Sequence, residues 1–184
     1  NGWDFTTTVK ALTTYLGGDL ATSRHKGKSQ IVATYDYTDE QSVLLYQAVR
    51  MDPKGFRQRR PKDDGGWNWT VKGARLVPYR LPQLLAAADD VMVVIVEGEK
   101  DADRLAKLGV VATCNAMGAG KWRNQYSEHF RRRRVVILPD NDEPGRDHAE
   151  QVAQSLYGIA RSIKVVALPG LPEKGDVSDW LDAG

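Results

Sequence analysis

Cysteine is nearly absent from this chain. Cys114 stands alone among 184 residues. That excludes an internal disulfide and any multi-cysteine zinc site. It suits a reduced, cytoplasmic protein in which Cys114 is a small buried thiol. Long apolar runs are absent too. The longest, Val91–Val96, is strand-length and far short of the roughly 18 residues that span a bilayer, so no membrane partner is expected. No hydrophobic region follows the polar opening Asn1-Gly2-Trp3-Asp4, as a secretory signal would require. A starting Met is missing as well, as expected of a piece cut from a longer protein. The three histidines, His25, His129 and His148, show no metal spacing and are expected at the surface. There is no internal repeat and no low-complexity tract.

What the chain does have is hydrophobic content of 41%, enough for a real core. It also has a division of charge hidden in its net +2. Residues 1–88 hold 13 Lys/Arg against 8 Asp/Glu, whereas residues 89–184 hold 13 against 16. A basic half joined to an acidic half fits a polyanion-binding surface beside a cation-binding one; ordinary scatter of surface charge gives the same numbers.

The rhythm changes at the same place. Residues 1–88 read as a small basic α+β unit. A helix is expected over Thr8–Leu16, ended by Gly17-Gly18. A hairpin follows from Gln30–Tyr37 and Val43–Met51, with a turn at Thr38–Gln41. Strands over Gly55–Arg60 and Trp67–Val71 flank the turn Asp63-Asp64-Gly65-Gly66, and a short helix over Leu81–Ala88 has Pro82 in its first turn. In residues 89–184, strands alternate with helices. Strands are expected at Val91–Val96, Val110–Thr113, Arg134–Leu138 and Ile163–Leu168, and helices at Asp101–Leu108 and Asp147–Leu156. Strand–helix alternation implies a parallel sheet with right-handed crossovers. Runs such as Val93-Val94-Ile95-Val96 suit strands covered on both faces.

Ligands of such sheets bind at the carboxyl ends of the strands. Glu97 follows the first of these strands, Asp140 and Asp142 follow the third, and Asp176 and Asp179 lie beyond the fourth. Crowded carboxylates resist ionising together unless hard cations neutralise them, and all-oxygen ligation suits magnesium or manganese. Taken singly, Asp140-Asn141-Asp142 reads equally as a solvated turn, and Asp176 or Asp179 as the cap of a helix beginning near Trp180-Leu181.

Here the residues carry a family resemblance. Val94-Ile95-Val96-Glu97-Gly98-Glu99-Lys100-Asp101-Ala102 resembles the Glu-Gly motif of TOPRIM domains. Val135–Asp142 with Gly145 resembles their Asp-x-Asp motif. Asn115–Trp122 fits the glycine turn after the second strand, and Lys174–Leu181 resembles the trailing acidic motif of bacterial, phage and mobile-element primases. The resemblance implies an α/β TOPRIM fold, Rossmann-like, preceded by the basic subdomain. It implies Glu97, Asp140 and Asp142 as catalytic residues. It also implies a Mg2+ or Mn2+ site drawn from Glu97, Asp140, Asp142, Asp101, Asp176 and Asp179. The function implied is that of a DNA primase catalytic core, a nucleotidyltransferase joining ribonucleoside triphosphates on a single-stranded DNA template at the replication fork. Two alternatives stay open: a metal-dependent nuclease using the same carboxylates, and a non-catalytic nucleic-acid module of a replication protein.

Segment Phe56–Leu81 is similar to the subdomain preceding TOPRIM in phage- and plasmid-type primases. Basic residues there can neutralise phosphates, and aromatics can stack on unpaired bases. Arg57, Arg59, Arg60, Lys72 and Arg80, with Lys100 and Lys121, are the expected nucleotide or DNA contacts; Trp67 and Trp69 are expected in the subdomain core. Arg131–Arg134 reads as a solvated helix end or a phosphate contact. Gly118-Ala119-Gly120-Lys121 fails as an ATPase phosphate loop, because Asn115 replaces the first glycine and Trp122 the magnesium-binding hydroxyl. A zinc-binding domain and a replicative helicase, both usual companions of such primases, would have to be supplied from elsewhere.

Overall fold

The computed structural model describes residues 29–53 and 55–184. The helix expected over Thr8–Leu16, together with Arg24, His25, Lys26, Lys28 and Lys54, lies outside the described residues.

The first sheet is antiparallel, with strands in sequence order: β1 (Gln30–Thr38), β2 (Leu44–Asp52), β3 (Gly55–Pro61) and β4 (Trp67–Asn68). Asp39 sets the first turn, its side chain accepting from the amides of Gln41 and Val43. Alternation then sorts the side chains. Tyr37, Tyr46 and Ala48 point into the core, with Tyr37 stacked on Tyr46 at 4.5 Å. The strand expected over Trp67–Val71 ends after two residues, because the Thr70 amide turns back to the Asn68 carbonyl at 2.8 Å.

The second sheet is parallel, in the order β6-β5-β7-β8. Its elements are β5 (Met92–Ile95), β6 (Val111–Thr113), β7 (Arg134–Ile137) and β8 (Ser162–Val165), preceded by the short helix α1 (Leu81–Ala86). The crossovers are α2 (Glu99–Lys107), a 3-10 segment (Asn124–Phe130) and α3 (Glu143–Leu156), with α4 (Val177–Ala183) at the end. The fold class is therefore the expected one. Val93, Val94 and Ile95 are buried, as a central strand covered on both faces requires. β8 is an edge strand whose Ser162, Lys164 and Val165 are exposed.

One continuous core joins the two sheets, running from Tyr37 and Tyr46 through Val77 and Leu81 to Val93, Ile95 and Ile137. The segment that links them is stitched to the parallel sheet: the Tyr79 amide donates to the Cys114 carbonyl at 2.9 Å, and the Thr113 hydroxyl to the Tyr79 carbonyl at 2.6 Å. Cys114 is fully buried. No helix among the described residues is long and apolar enough to cross a membrane.

Three expectations are corrected. His148 is not a surface residue; it is 3% exposed and its Nδ1 accepts from the Gly120 amide at 3.0 Å. Helix α3 starts at Glu143, four residues before the expected Asp147, because Asp142 caps it and Pro144 fits its first turn. The four arginines 131–134 do not act together. Arg131 pairs with Glu128 and Arg134 is exposed, whereas Arg133 is buried and its Nη1 donates to the carbonyls of Ala87 and Ala88. It thereby closes the C-terminal end of α1.

Removing Arg133 leaves two carbonyls of a packed helix end without their donor, so Arg133→Leu should lose about 1.5–3 kcal/mol of stability. Arg134→Ala, on exposed surface, should stay within about 0.5 kcal/mol of the parent. Urea denaturation of the two variants checks the difference.

Candidate active site

The register of the parallel sheet builds the site. Ile95 of β5 pairs with Ile137 of β7, so the residues that follow the two strands emerge side by side. Glu97 and Asp140 meet there, with Glu97 Oε1 accepting from the Asp140 amide at 3.2 Å. Two glycines allow the crowding. A Cβ on Gly145 would press against Glu97 Oε1 and stand 2.7 Å from the Asp140 carbonyl; one on Gly98 would stand 2.9 Å from Asp101 Oδ2.

Asp101 lies one turn into α2, buried, and accepts from both the amide (3.1 Å) and the hydroxyl (2.5 Å) of Ser178. That pair fastens the start of α4 to α2. Asp142 is the N-cap of α3 and accepts from the Gly145 amide at 2.8 Å. Asp176 and Asp179 form a reciprocal capping box at the start of α4, and Lys100 Nζ lies 3.7 Å from Asp176 Oδ2. The trailing acids thus already serve as helix caps, while Glu97, Asp101 and Asp140 line an open cleft of about 510 Å³.

Charge in this cleft is uncompensated. Burial, and then Glu97, Asp101, Asp176 and Asp142, push the Asp140 carboxyl up to about 8. Glu97 and Asp101 are also raised, each chiefly by burial. Carboxylates that resist ionising together become favourable around a hard cation. Among the described residues no three acids, histidines or cysteines form a ready-made metal cage. An incomplete oxygen set is what magnesium ordinarily receives from a protein, since it keeps waters and takes substrate phosphates for the rest. Glu97, Asp101 and Asp140 are the residues that could hold one.

Sequence reasoning missed several members of the cleft. Glu99 is buried in its wall and accepts from the Tyr37 hydroxyl at 2.8 Å, a bond from β1 to the start of α2; its position two residues after Glu97 was the available signal. Gln58 and Phe56 reach the cleft from β3, and Met117 and Gly118 from the glycine turn. The glycine-turn motif Asn115–Trp122 was the signal for Met117 and Gly118, whereas nothing local marks Gln58 and Phe56.

The expected basic contacts scatter. Lys72 is exposed in a turn, and Lys121 is exposed just after the glycine turn. Arg80, at the N-cap of α1 with a left-handed φ of 57°, is held by Asp103 at 3.1 Å. Alternation along β3 sends Gln58 toward the cleft, so Arg57 and Arg59 face the other way. There they stack on tryptophans: Arg59 lies 3.9 Å from the Trp67 ring centre and Arg57 lies 4.5 Å from that of Trp69. Trp67 and Trp69 are therefore not core residues, and Trp69 is 42% exposed. On that face Val49 and Gln47 are buried while Trp67 is half-buried and Trp69 exposed, so the tryptophans lie at its outer rim.

No protein-family model matches the chain. It is 36% identical over 127 residues to the gene 57 protein of Mycobacterium phage D29, covering 68% of this chain and 77% of that protein. It is similar in structure to the primase fragment of the bacteriophage T7 primase-helicase protein, with TM-score 0.53 and 20% identity over 82% of this chain and 57% of that one. It is also similar to a DNA primase domain from Pseudomonas aeruginosa, with TM-score 0.60 and 20% identity over 82% of this chain and 46% of that one. The chain thus spans about half the length of these solved structures.

Two outcomes follow from the crowding. Asp140 is raised from 3.8 to about 8, so between those values the native state holds more protons than the unfolded chain. In chelator, stability should be highest at the acidic end and fall as pH rises through about 8. Asp140→Asn should flatten that fall in thermal melts, and Mg2+ should oppose it in the parent only. In an open helix, Gly→Ala stabilises by about 1 kcal/mol. Gly145→Ala should instead lower the melting temperature, since its Cβ displaces Glu97.

Proposed function

Because this chain belongs to the family of the phage D29 gene 57 protein and has the TOPRIM fold of DNA primase catalytic cores, we propose that it is a template-directed primer synthase. The reaction is nucleotidyl transfer: a 3′-hydroxyl attacks the α-phosphorus of a ribonucleoside triphosphate paired to single-stranded DNA, and pyrophosphate leaves. The observation that carries this reading is the meeting of Glu97 with Asp140 across adjacent strand ends, in a cleft that Asp101 completes.

Mg2+ or Mn2+, when bound, would polarise the phosphoryl oxygens and offset the charge of the leaving pyrophosphate. Glu97, Asp101 and Asp140 would hold it. Glu97 takes the proton of the attacking hydroxyl, a role suited to a carboxylate whose proton affinity burial has raised. Asp142 contributes mainly by capping α3, which fixes the backbone of the Asp140 loop. Asp176 and Asp179 act in the same way on α4, with Asp176 also restraining Lys100, a candidate partner for the triphosphate. Lys121, beside the glycine turn, is another. The nucleic acid partners are single-stranded template and nascent primer, and the site of action is the cytoplasmic replication fork. A zinc-binding domain and a helicase, on this or another polypeptide, would supply start-site choice and movement.

Glu97→Gln and Asp140→Asn should each abolish primer synthesis while keeping the fold. The assay is incubation with single-stranded DNA, Mg2+ and labelled ribonucleotides. Products longer than one nucleotide support synthesis. A shortened template would make the protein a nuclease, and DNA binding without any product would make it a non-catalytic module. Full activity in either variant would remove the carboxylates from the mechanism.

A further inference from the structure

The antiparallel sheet has two faces of different character. One closes over the acidic cleft through Ala48, Phe56 and Gln58. The other carries Arg57, Arg59, Trp67 and Trp69 as two guanidinium–indole stacks. The Arg59 side chain is set from behind: its Nε donates to Gln47 Oε1 at 2.7 Å, and Gln47 Nε2 donates to Asp36 Oδ1 at 2.6 Å. A relay across three strands thus holds this guanidinium over the Trp67 ring. Among the described residues neither Arg57 nor Arg59 has an ion-pair partner.

The geometry points to this outer face as a separate binding surface for single-stranded nucleic acid, away from the cleft. An exposed indole offers a plane to an unpaired base, while a guanidinium stacked on it keeps its in-plane N–H groups directed outward for phosphate. Duplex bases are already stacked and cannot use the indole. Electrostatics gives the same assignment, because a polyanion is repelled by Glu97, Glu99, Asp101 and Asp140 unless cations intervene, whereas on the outer face Arg57 and Arg59 outnumber Asp36. The surface rests on the proposed primase reading only in its purpose, which is to hold template outside the catalytic cleft.

The test is fluorescence anisotropy of a labelled oligodeoxythymidylate with the 184-residue chain in chelator. Trp69→Ala should weaken binding about tenfold, within the range for loss of one stacked base, with its salt dependence unchanged. Trp69→Phe should restore most of it, which a folding defect would not. Arg57→Ala should lower the slope of log affinity against log salt by about 0.7, the loss of one phosphate contact, and Arg161→Ala, on exposed surface beyond α3, should not. Equal affinity for duplex, unchanged binding in Trp69→Ala, or the same slope change in Arg161→Ala would each overturn the assignment. Because the assay excludes metal and nucleotides, its result is independent of whether primers are made; failure of synthesis with intact Trp69-dependent binding would remove the primase reading and leave the surface.

Discussion

Everything in the candidate site depends on forcing carboxylates together at the ends of two hydrogen-bonded parallel strands. β5 and β7 are adjacent, and their register places Glu97 beside Asp140 with no freedom to separate. The cost of that arrangement is electrostatic and shows in the proton affinity of Asp140. The fold meets it with packing: Val93, Ile95, Val135 and Ile137 are buried beneath the acids, and hydrophobic burial on that scale holds the strands in place. Gly145 and Gly98 complete the arrangement by withholding the methyl groups that would push the carboxylates apart.

The surrounding acids divide by what they already bind. Asp101 is tied to Ser178, Asp142 to Gly145, and Asp176 and Asp179 to each other. The Asp101–Ser178 pair ties α4 to α2, and the other bonds cap α3 and α4. Glu97 and Asp140 have the fewest internal partners for their charge. A residue that satisfies the backbone positions the site, one left uncompensated is available for a cation or substrate, and Asp101, bonded to Ser178 yet lining the cleft, can do both. The same reasoning separates Arg133, committed to the carbonyls that follow α1, from Arg57 and Arg59, which have no ion-pair partner among the described residues.

The basic subdomain does more than add charge. Tyr37 crosses from its sheet to Glu99 at the start of α2, and the core is continuous between the sheets. A shift of the antiparallel sheet would therefore be felt in the cleft wall, through Tyr37 and through Gln58. Its outer face is free of this duty, which explains how aromatic residues come to stand partly in solvent there.

The strand–helix alternation, the acids at strand ends and the glycine positions were legible in sequence because each depends on a local period or on immediate neighbours. The α/β class and the approach of Glu97 to Asp140 follow from that alone, since parallel strands present their ends on one edge. What local order could not reveal was which partner each polar group finds. His148 under the glycine turn, Arg133 sealing the end of α1, Asp101 bonded to Ser178, and which face of β3 meets the cleft all depend on elements far apart in the chain. The sequence by itself determined the elements and the acids they carry. Tertiary packing alone decided which of those acids stay uncompensated, because hydrogen bonding and burial are properties of neighbours in space.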